Sequence, residues 1–207
     1  MVESVHDLME SAFANGGLCT PAAVQELLIN AIAHQDLMSM GNRVLFEIFS
    51  NRIEITNPGT LLVKKERILD QPPHSRNTLL ASTLRKMLPC EELATGWNRV
   101  EEACESARLP SPDIIEYEIS TKVVMHPHTD FCELSPEQKI WSSYLHACAM
   151  YMRGNSATTA SVRERFGLEK SSSSAVSRLL SRCVSAGLLK LKDAAGAKSK
   201  EYIPFWG

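Results

Sequence analysis

Glu26, Asn30 and His34 recur at i, i+4 and i+8 within QELLINAIAHQD, residues 25–36. On a helix this spacing stacks a carboxylate, an amide and an imidazole along one side. A carboxylate can take a proton from water, and an amide oxygen one turn on can hold a hard cation, so the set suits water activation beside a bound cation. The same three residues also fit the solvated stripe of an amphipathic helix. A second set, His126, His128, Asp130 and Cys132, sits at alternating positions. An extended chain would point all four to one side, where they could ligate a metal or form a plain polar linker.

The elements that must position these residues can be read from periodicity and punctuation. Residues 3–13 read as a helix ended by Asn15-Gly16-Gly17. Thr20-Pro21 supplies an N-cap and a proline at the first helical position, which starts a helix running to about His34. Its apolar positions Val24, Leu27, Leu28, Ala31 and Ile32 form one buried face. Residues 43–49 and 52–56 read as a β-hairpin, and Asn57-Pro58-Gly59 as a turn after it. A long stretch, 61–77, contains Pro72-Pro73-His74 and a short helix near 65–69; loops of this length are usually functional or mobile. Helices follow over 78–87 and 96–107, then a pair of short strands or one long strand over 114–125, then a linker through His126 to Cys132.

The remainder has a different character. Ser135-Pro136-Glu137-Gln138 is a capping box that opens a helix to about Arg153. Thr158 or Thr159 caps a second helix through Phe166, and a third runs from about Ser172 to Ala186, with Gly187 as its left-handed cap. Ala175, Val176, Leu179, Leu180 and Val184 are its expected inward face. Strands at 188–192 and 201–205 enclose a loop at 193–199. Helix, helix-turn-helix and hairpin in this order spell a winged helix.

Composition supports this division. The 207 residues carry 22 Lys+Arg and 24 Asp+Glu, of which 11 and 5 lie in residues 135–207, leaving 11 and 19 in residues 1–134. An acidic part followed by a basic part implies two domains, 1–133 and 134–207, with different partners. The basic part is suited to phosphates. Its third helix would present Ser172, Ser173, Ser174, Ser177, Arg178 and Arg182 to a DNA major groove, and the hairpin's Lys190, Lys192, Lys198 and Lys200 to the backbone. A winged helix used for protein contacts is the alternative. The six cysteines include no C-x-x-C pair, so no zinc ribbon or disulfide framework is signalled and a reducing cytoplasm is the expected compartment. P-loop, G-x-S-x-G and H-E-x-x-H patterns are absent.

Taken together, QELLINAIAHQD, NRIEITNPGTL, PPHSRNTLLASTLRKM and EELATGWNRVEEACESARLPSPDI, followed by a winged helix, resemble the RecG-related ATP-binding regulators. In these a GHKL (Bergerat) ATPase-like domain precedes a helix-turn-helix. The resemblance implies an α+β fold, a two-layer GHKL-like α/β sandwich followed by a winged-helix domain. It also implies ATP and Mg2+ as ligands. Glu26 would activate water, and Asn30 would hold Mg2+ against the phosphates. Asn57 and Gly59 would stand beside the adenine pocket, Arg76 and Asn77 would match the family's R-N pair, and Thr95 and Gly96 its G-T-G turn near phosphate.

The sequence departs from this pattern in three places. The adenine-contacting Asp is absent at the N-P-G segment, Ala94 replaces the first Gly of the G-T-G turn, and Gln35 stands where the family usually has Arg. These changes weaken hydrolysis more than binding. Three functions stay open at the level of sequence: a nucleotide-responsive DNA-binding transcriptional regulator, a slow Mg-dependent ATPase, and a degenerate GHKL domain acting as a homodimerisation or interaction module. Longer relatives carry an additional N-terminal domain, so the chain is also expected to be the C-terminal piece of a larger protein. The helicase label attached to such relatives does not carry over, because no motor motif is present.

Overall fold

The computed structural model describes residues 20–39, 41–71, 75–87, 96–192 and 199–207. The expected helix over 3–13, Pro72-Pro73-His74, Ala94-Thr95 and most of the loop at 193–199 lie outside the described residues. The chain divides into two compact units, Met1–His128 and Thr129–Gly207.

In the first unit, helix α1 (Pro21–His34) begins where expected: Thr20 is extended and its side chain accepts the Ala23 N–H, with Pro21 following. Strands β1 (Leu45–Phe49) and β2 (Arg52–Pro58) form the hairpin, pairing from Phe49↔Arg52 to Leu45↔Thr56. A 3₁₀ turn (Lys65–Arg67) precedes helices α2 (Thr78–Met87) and α3 (Gly96–Ser106). Strands β3 (Asp113–Glu116) and β4 (Ser120–Met125) form a second hairpin, giving an antiparallel sheet in the order β1-β2-β4-β3.

Because side chains alternate along a strand, Ile53 and Ile55 of β2 and Val123 and Met125 of β4 share one face. These pack with Val24, Leu27 and Ala31 of α1 and Val100 and Cys104 of α3 to form the core. Helix α1 is buried on more than its predicted face, Ala23, Ile29 and Ala33 included, because α2, α3 and β2 all pack against it. This leaves little of it for solvent. On the opposite sheet face Glu54, buried, accepts hydrogen bonds from Lys122 Nζ and from Arg52 Nε at 2.6 Å.

The turn expected at Asn57-Pro58-Gly59 is instead the end of β2. Asn57 and Pro58 continue the ladder opposite Thr121 and Ser120 of β4. Proline is tolerated there because β1 has already stopped at Leu45↔Thr56, leaving no ladder donor to lose on that side. The Pro58 carbonyl accepts the Asp36 N–H at 2.8 Å, and the chain turns only at Gly59, φ +103°.

In the second unit, Asp130 accepts from the Glu133 and Leu134 amides, leading into helix α4 (Pro136–Met152). Both halves of its capping box form: Ser135 Oγ accepts from Gln138 N, and Gln138 Oε1 from Ser135 N. Helix α5 (Thr159–Arg165) is capped by Thr158. A 3₁₀ turn (Lys170–Ser172) leads into α6 (Ser173–Ser185), and strands β5 (Leu189–Leu191) and β6 (Tyr202–Pro204) pair as a hairpin. Ala157, between α4 and α5, bridges to Tyr202 of β6. The buried positions of α6 are Val176, Leu179, Leu180 and Cys183. Cys183 thus takes the place expected for Val184, as a strict i, i+3, i+4, i+7 stripe from Val176 requires. Gly187 adopts φ +73°, ending the helix as expected.

Candidate functional site

The alternation that builds the core also builds a cavity at the other end of the same sheet face. Two residues beyond Ile55 lies Asn57, and two before Val123 lies Thr121; the register pairs Asn57 with Thr121. Polar residues here replace the apolar ones of the core, and a cavity of about 330 Å³ opens above them. Its roof is α1 at Asn30 and His34, one wall is made by residues 60–63 with Ile68, Gln71, Ser75 and Thr78, and Gly96 and Trp97 of α3 close one side. Size and lining, largely apolar with a few convergent polar groups, are those of a small-molecule site.

The Glu26–Asn30–His34 stripe is therefore not a solvated face. All three residues are partly buried, and the Glu26 side chain retains 12% exposure. Arg99 Nη1 stands 3.9 Å from Glu26 Oε2. A Cβ built on Gly96 would fall 2.2 Å from Glu26 Oε1 and 2.9 Å from Asn30 Nδ2, so the first residue of α3 abuts both side chains. Asn30 and His34 line the cavity, whereas Glu26 lies behind them on the side of Arg99. Asn30 Nδ2 and Ser75 Oγ are buried without a hydrogen-bond partner among the described residues. Such groups are rare in folded proteins, because an unmade bond leaves the desolvation penalty uncompensated. Both belong to residues of the cavity wall.

Asn57 is buried, and its Nδ2 donates to the Pro58 carbonyl at 3.2 Å. A carbonyl can only accept, so this contact fixes the amide's orientation and leaves Oδ1 as its remaining acceptor. Thr121 Oγ1 donates to the Gly59 carbonyl at 2.9 Å.

Gly59, Arg76 and Asn77 come together beside the cavity. Arg76 Nε donates to the His34 carbonyl at 3.1 Å and Nη2 to the Thr60 carbonyl at 3.0 Å. Asn77 Nδ2 donates to the Gln35 carbonyl at 2.8 Å, and its backbone N–H to the Ala33 carbonyl at 3.0 Å. These donors serve the end of α1. Thr95 lies outside the described residues. Ser75, Trp97 and Thr121 are cavity residues that sequence reasoning did not single out. For Thr121 the signal was available in the alternation Thr121-Val123-Met125; Ser75 sits in an aperiodic stretch that offers none.

At the other candidate sites, His126 Nε2 lies 2.8 Å from Asp113 Oδ2. Residues 126–130 form no strand, and among the described residues no group of three or more His, Cys, Asp or Glu side chains is placed to hold a metal ion. Cys132 lies in a turn that begins at Phe131, so the alternation at 126–132 does not run through one strand.

On the second unit, Ser174, Arg178 and Arg182 of α6 and Lys190, Lys192 and Lys200 of the hairpin are exposed, while Ser172, Ser173 and Ser177 are partly buried. Ser173 Oγ donates to the Lys170 carbonyl at 2.6 Å and accepts from Arg163 Nη1 at 3.3 Å. Lys192 Nζ is 3.2 Å from Glu201 Oε2 and donates to Ser156 Oγ at 3.2 Å. Hydrogen bonding from Lys192, and then from Ser156, holds the Glu201 carboxyl below the usual carboxylate range. Lys198 lies outside the described residues. No helix among the described residues is long and apolar enough to cross a membrane.

Among solved structures, the DIP2311 protein from Corynebacterium diphtheriae is similar over 96% of this chain, at 12% identity and a TM-score of 0.47. The chain covers 53% of that structure, about half its length. No curated protein matches the sequence significantly. Residues 41–125, from the start of the β1 strand region to the end of β4, match the family described as "Putative ATP-dependent DNA helicase recG C-terminal". Helix α1, with Glu26 and Asn30, precedes the matched residues. The matched segment, which supplies the sheet and most of the cavity wall, is thus similar to an ATPase-like domain related to the RecG C-terminus.

Proposed function

We propose that the cavity of the first unit binds an adenine nucleotide, and that the second unit is a winged helix through which the chain binds DNA as a nucleotide-responsive transcriptional regulator. One observation carries the nucleotide reading: Asn30 presents a buried amide nitrogen, without a partner among the described residues, on the wall of a cavity formed largely by an ATPase-like segment. A bound ligand that accepts this hydrogen bond would remove its desolvation penalty. Asn57 Oδ1, with its amide nitrogen donating to Pro58, would accept from an amine at the purine 6 position, where guanine carries a carbonyl oxygen that cannot donate; in that pose adenine is favoured.

The residues fit Mg2+ less simply. Glu26 and the amide oxygen of Asn30 are suitable hard donors. However, Asn30 turns its nitrogen toward Gly96, and Glu26 faces Arg99. Holding the ion there requires the Asn30 amide to rotate, after which Mg2+ would neutralise phosphate charge. Turnover would further need Glu26 to leave Arg99, so binding without rapid hydrolysis is the favoured reading.

For the second unit, the support is the helix, bridge, helix, helix, hairpin order, with Ala157 bridging to Tyr202, and the exposed Arg178, Arg182, Lys190 and Lys200. A thermal-shift series with ATP, ADP and GTP, each with and without Mg2+, tests the first half. Stabilisation by the adenine nucleotides is expected, and its absence would favour an interaction module. A DNA gel shift that weakens steeply with salt tests the second half; no binding at low salt would refute it.

A further inference from the structure

A helix leaves its last carbonyls without intrahelical donors, and α1 ends without glycine: Gln35 is extended, φ −58°, ψ 145°, so no left-handed cap forms. The missing donors come from elsewhere. Gln35 Nε2 returns to the Ile32 carbonyl at 3.1 Å. The next three carbonyls are all served from residues 76–77: Ala33 by Asn77 N–H, His34 by Arg76 Nε and Gln35 by Asn77 Nδ2. A guanidinium at a helix C-terminus is also favoured by the helix dipole.

Arg76 does more than cap. Its Nη2 reaches the Thr60 carbonyl, and its guanidinium lies against Gly59, where a Cβ would be 3.3 Å from Cζ and from Nη2. Its planar fork thus joins the end of α1 to the end of β2, and in its own stretch Ser75 precedes it and Thr78 lies two residues on. His34, Thr60, Ser75 and Thr78 all line the cavity. One side chain outside the cavity therefore ties together three of the segments that frame it.

We infer that Arg76 is a positioning residue, a clip that sets the opening of the cavity and thereby its affinity for nucleotide; this rests on the nucleotide reading above. The clip spends its Nε and Nη2 donors on two backbone carbonyls, so it acts through the wall segments. Lysine keeps the charge but cannot serve two carbonyls in a fixed plane while lying flat on Gly59.

The test uses the full chain as wild type and as Arg76→Lys and Arg76→Ala, the lysine variant retaining a donor for the α1 end should alanine fail to fold. ADP affinity is read by calorimetry, and backbone opening without ligand by amide hydrogen exchange. Arg76→Lys should raise the Kd for ADP about tenfold, the scale of one lost charge-assisted hydrogen bond. Exchange should accelerate at residues 32–36 and 59–62 while β4 and the second unit keep their wild-type protection. Wild-type affinity in Arg76→Lys, or exchange raised evenly through the first unit, overturns the inference while leaving the nucleotide reading in place. A wild type that binds neither ADP nor ATP overturns the nucleotide reading and this inference with it.

Discussion

Gly96 and Glu26 touch so closely that a Cβ on the glycine would stand 2.2 Å from the Glu26 Oε1 atom. The glycine is needed there for space, since any side chain would enter the volume held by the Glu26 carboxylate and the Asn30 amide. Through this contact the start of α3 meets the polar side of α1 and closes one side of the cavity. The stripe whose spacing fitted either a solvated face or a ligand site is the packed seam between two helices.

Gly96→Ala should therefore destabilise the protein by about 1 to 3 kcal/mol, the usual effect of overpacking, despite alanine's higher helix propensity. Urea unfolding followed by circular dichroism measures this. Adding Glu26→Ala should recover part of the loss, because it removes the group that the new methyl meets.

Asn30→Ala should separate stability from binding. In the free protein the variant loses a buried donor that lacks a partner among the described residues, so its melting temperature should hold or rise. Its affinity for ADP should fall about five- to tenfold or more, the equivalent of one buried hydrogen bond. A parallel fall in both quantities would mean that Asn30 is a packing residue only.

Glu54, Lys122 and Arg52 give the sheet a pH window. Hydrogen bonding from Lys122, and then from Arg52, holds the Glu54 carboxyl below its ordinary value of 4.5. Glu54 in turn lifts Lys122 above 10.5. The Glu54 contribution is full above pH 4.5 and is lost as pH falls through the lowered folded value; that of Lys122 is full below pH 10.5 and is lost as pH rises through the raised one. Glu54→Gln should cost about 1 to 2 kcal/mol at neutral pH, the lower part of the range for charged hydrogen bonds because Lys122 and Arg52 remain partly solvated. Unfolding measured from pH 3 to 11 should show the gap between wild type and variant closing at both ends.

Arg178→Ala with Arg182→Ala should leave the fold intact, since both side chains are exposed on α6. The double variant should weaken DNA binding and flatten its log–log salt dependence by about 0.9 per lost phosphate contact. Fluorescence anisotropy over a salt series reads both effects. Lys192→Ala should do less, because Lys192 is engaged with Glu201 and Ser156.

Much of this architecture was legible in local signals. Thr20-Pro21 and Ser135-Pro136-Glu137-Gln138 marked helix starts because caps and prolines act within one turn, and α1 and α4 begin at those residues. The failures share a cause: each depended on a neighbour distant in sequence. Asn57-Pro58 reads as a turn until β4 is seen to pair beyond the end of β1. That Arg76 and Asn77 give donors to the carbonyls of α1, 42 positions away, shows in no local pattern. Whether the Glu26–Asn30 stripe faced water or protein was likewise decided by α3, which no period within α1 encodes. Cys183 in place of Val184 was instead within reach of the sequence, since counting the helical stripe from Val176 finds it.

The central claim, that the cavity beside Asn30 holds an adenine nucleotide, is tested most directly by the melting temperature of the wild-type chain with ADP, with GDP as the control. At a hundredfold excess over Kd the account predicts about 2.7 kcal/mol of stabilisation by ADP, a rise of several degrees, and a smaller rise with GDP. An unchanged melting temperature with millimolar ADP, with or without Mg2+, would contradict it.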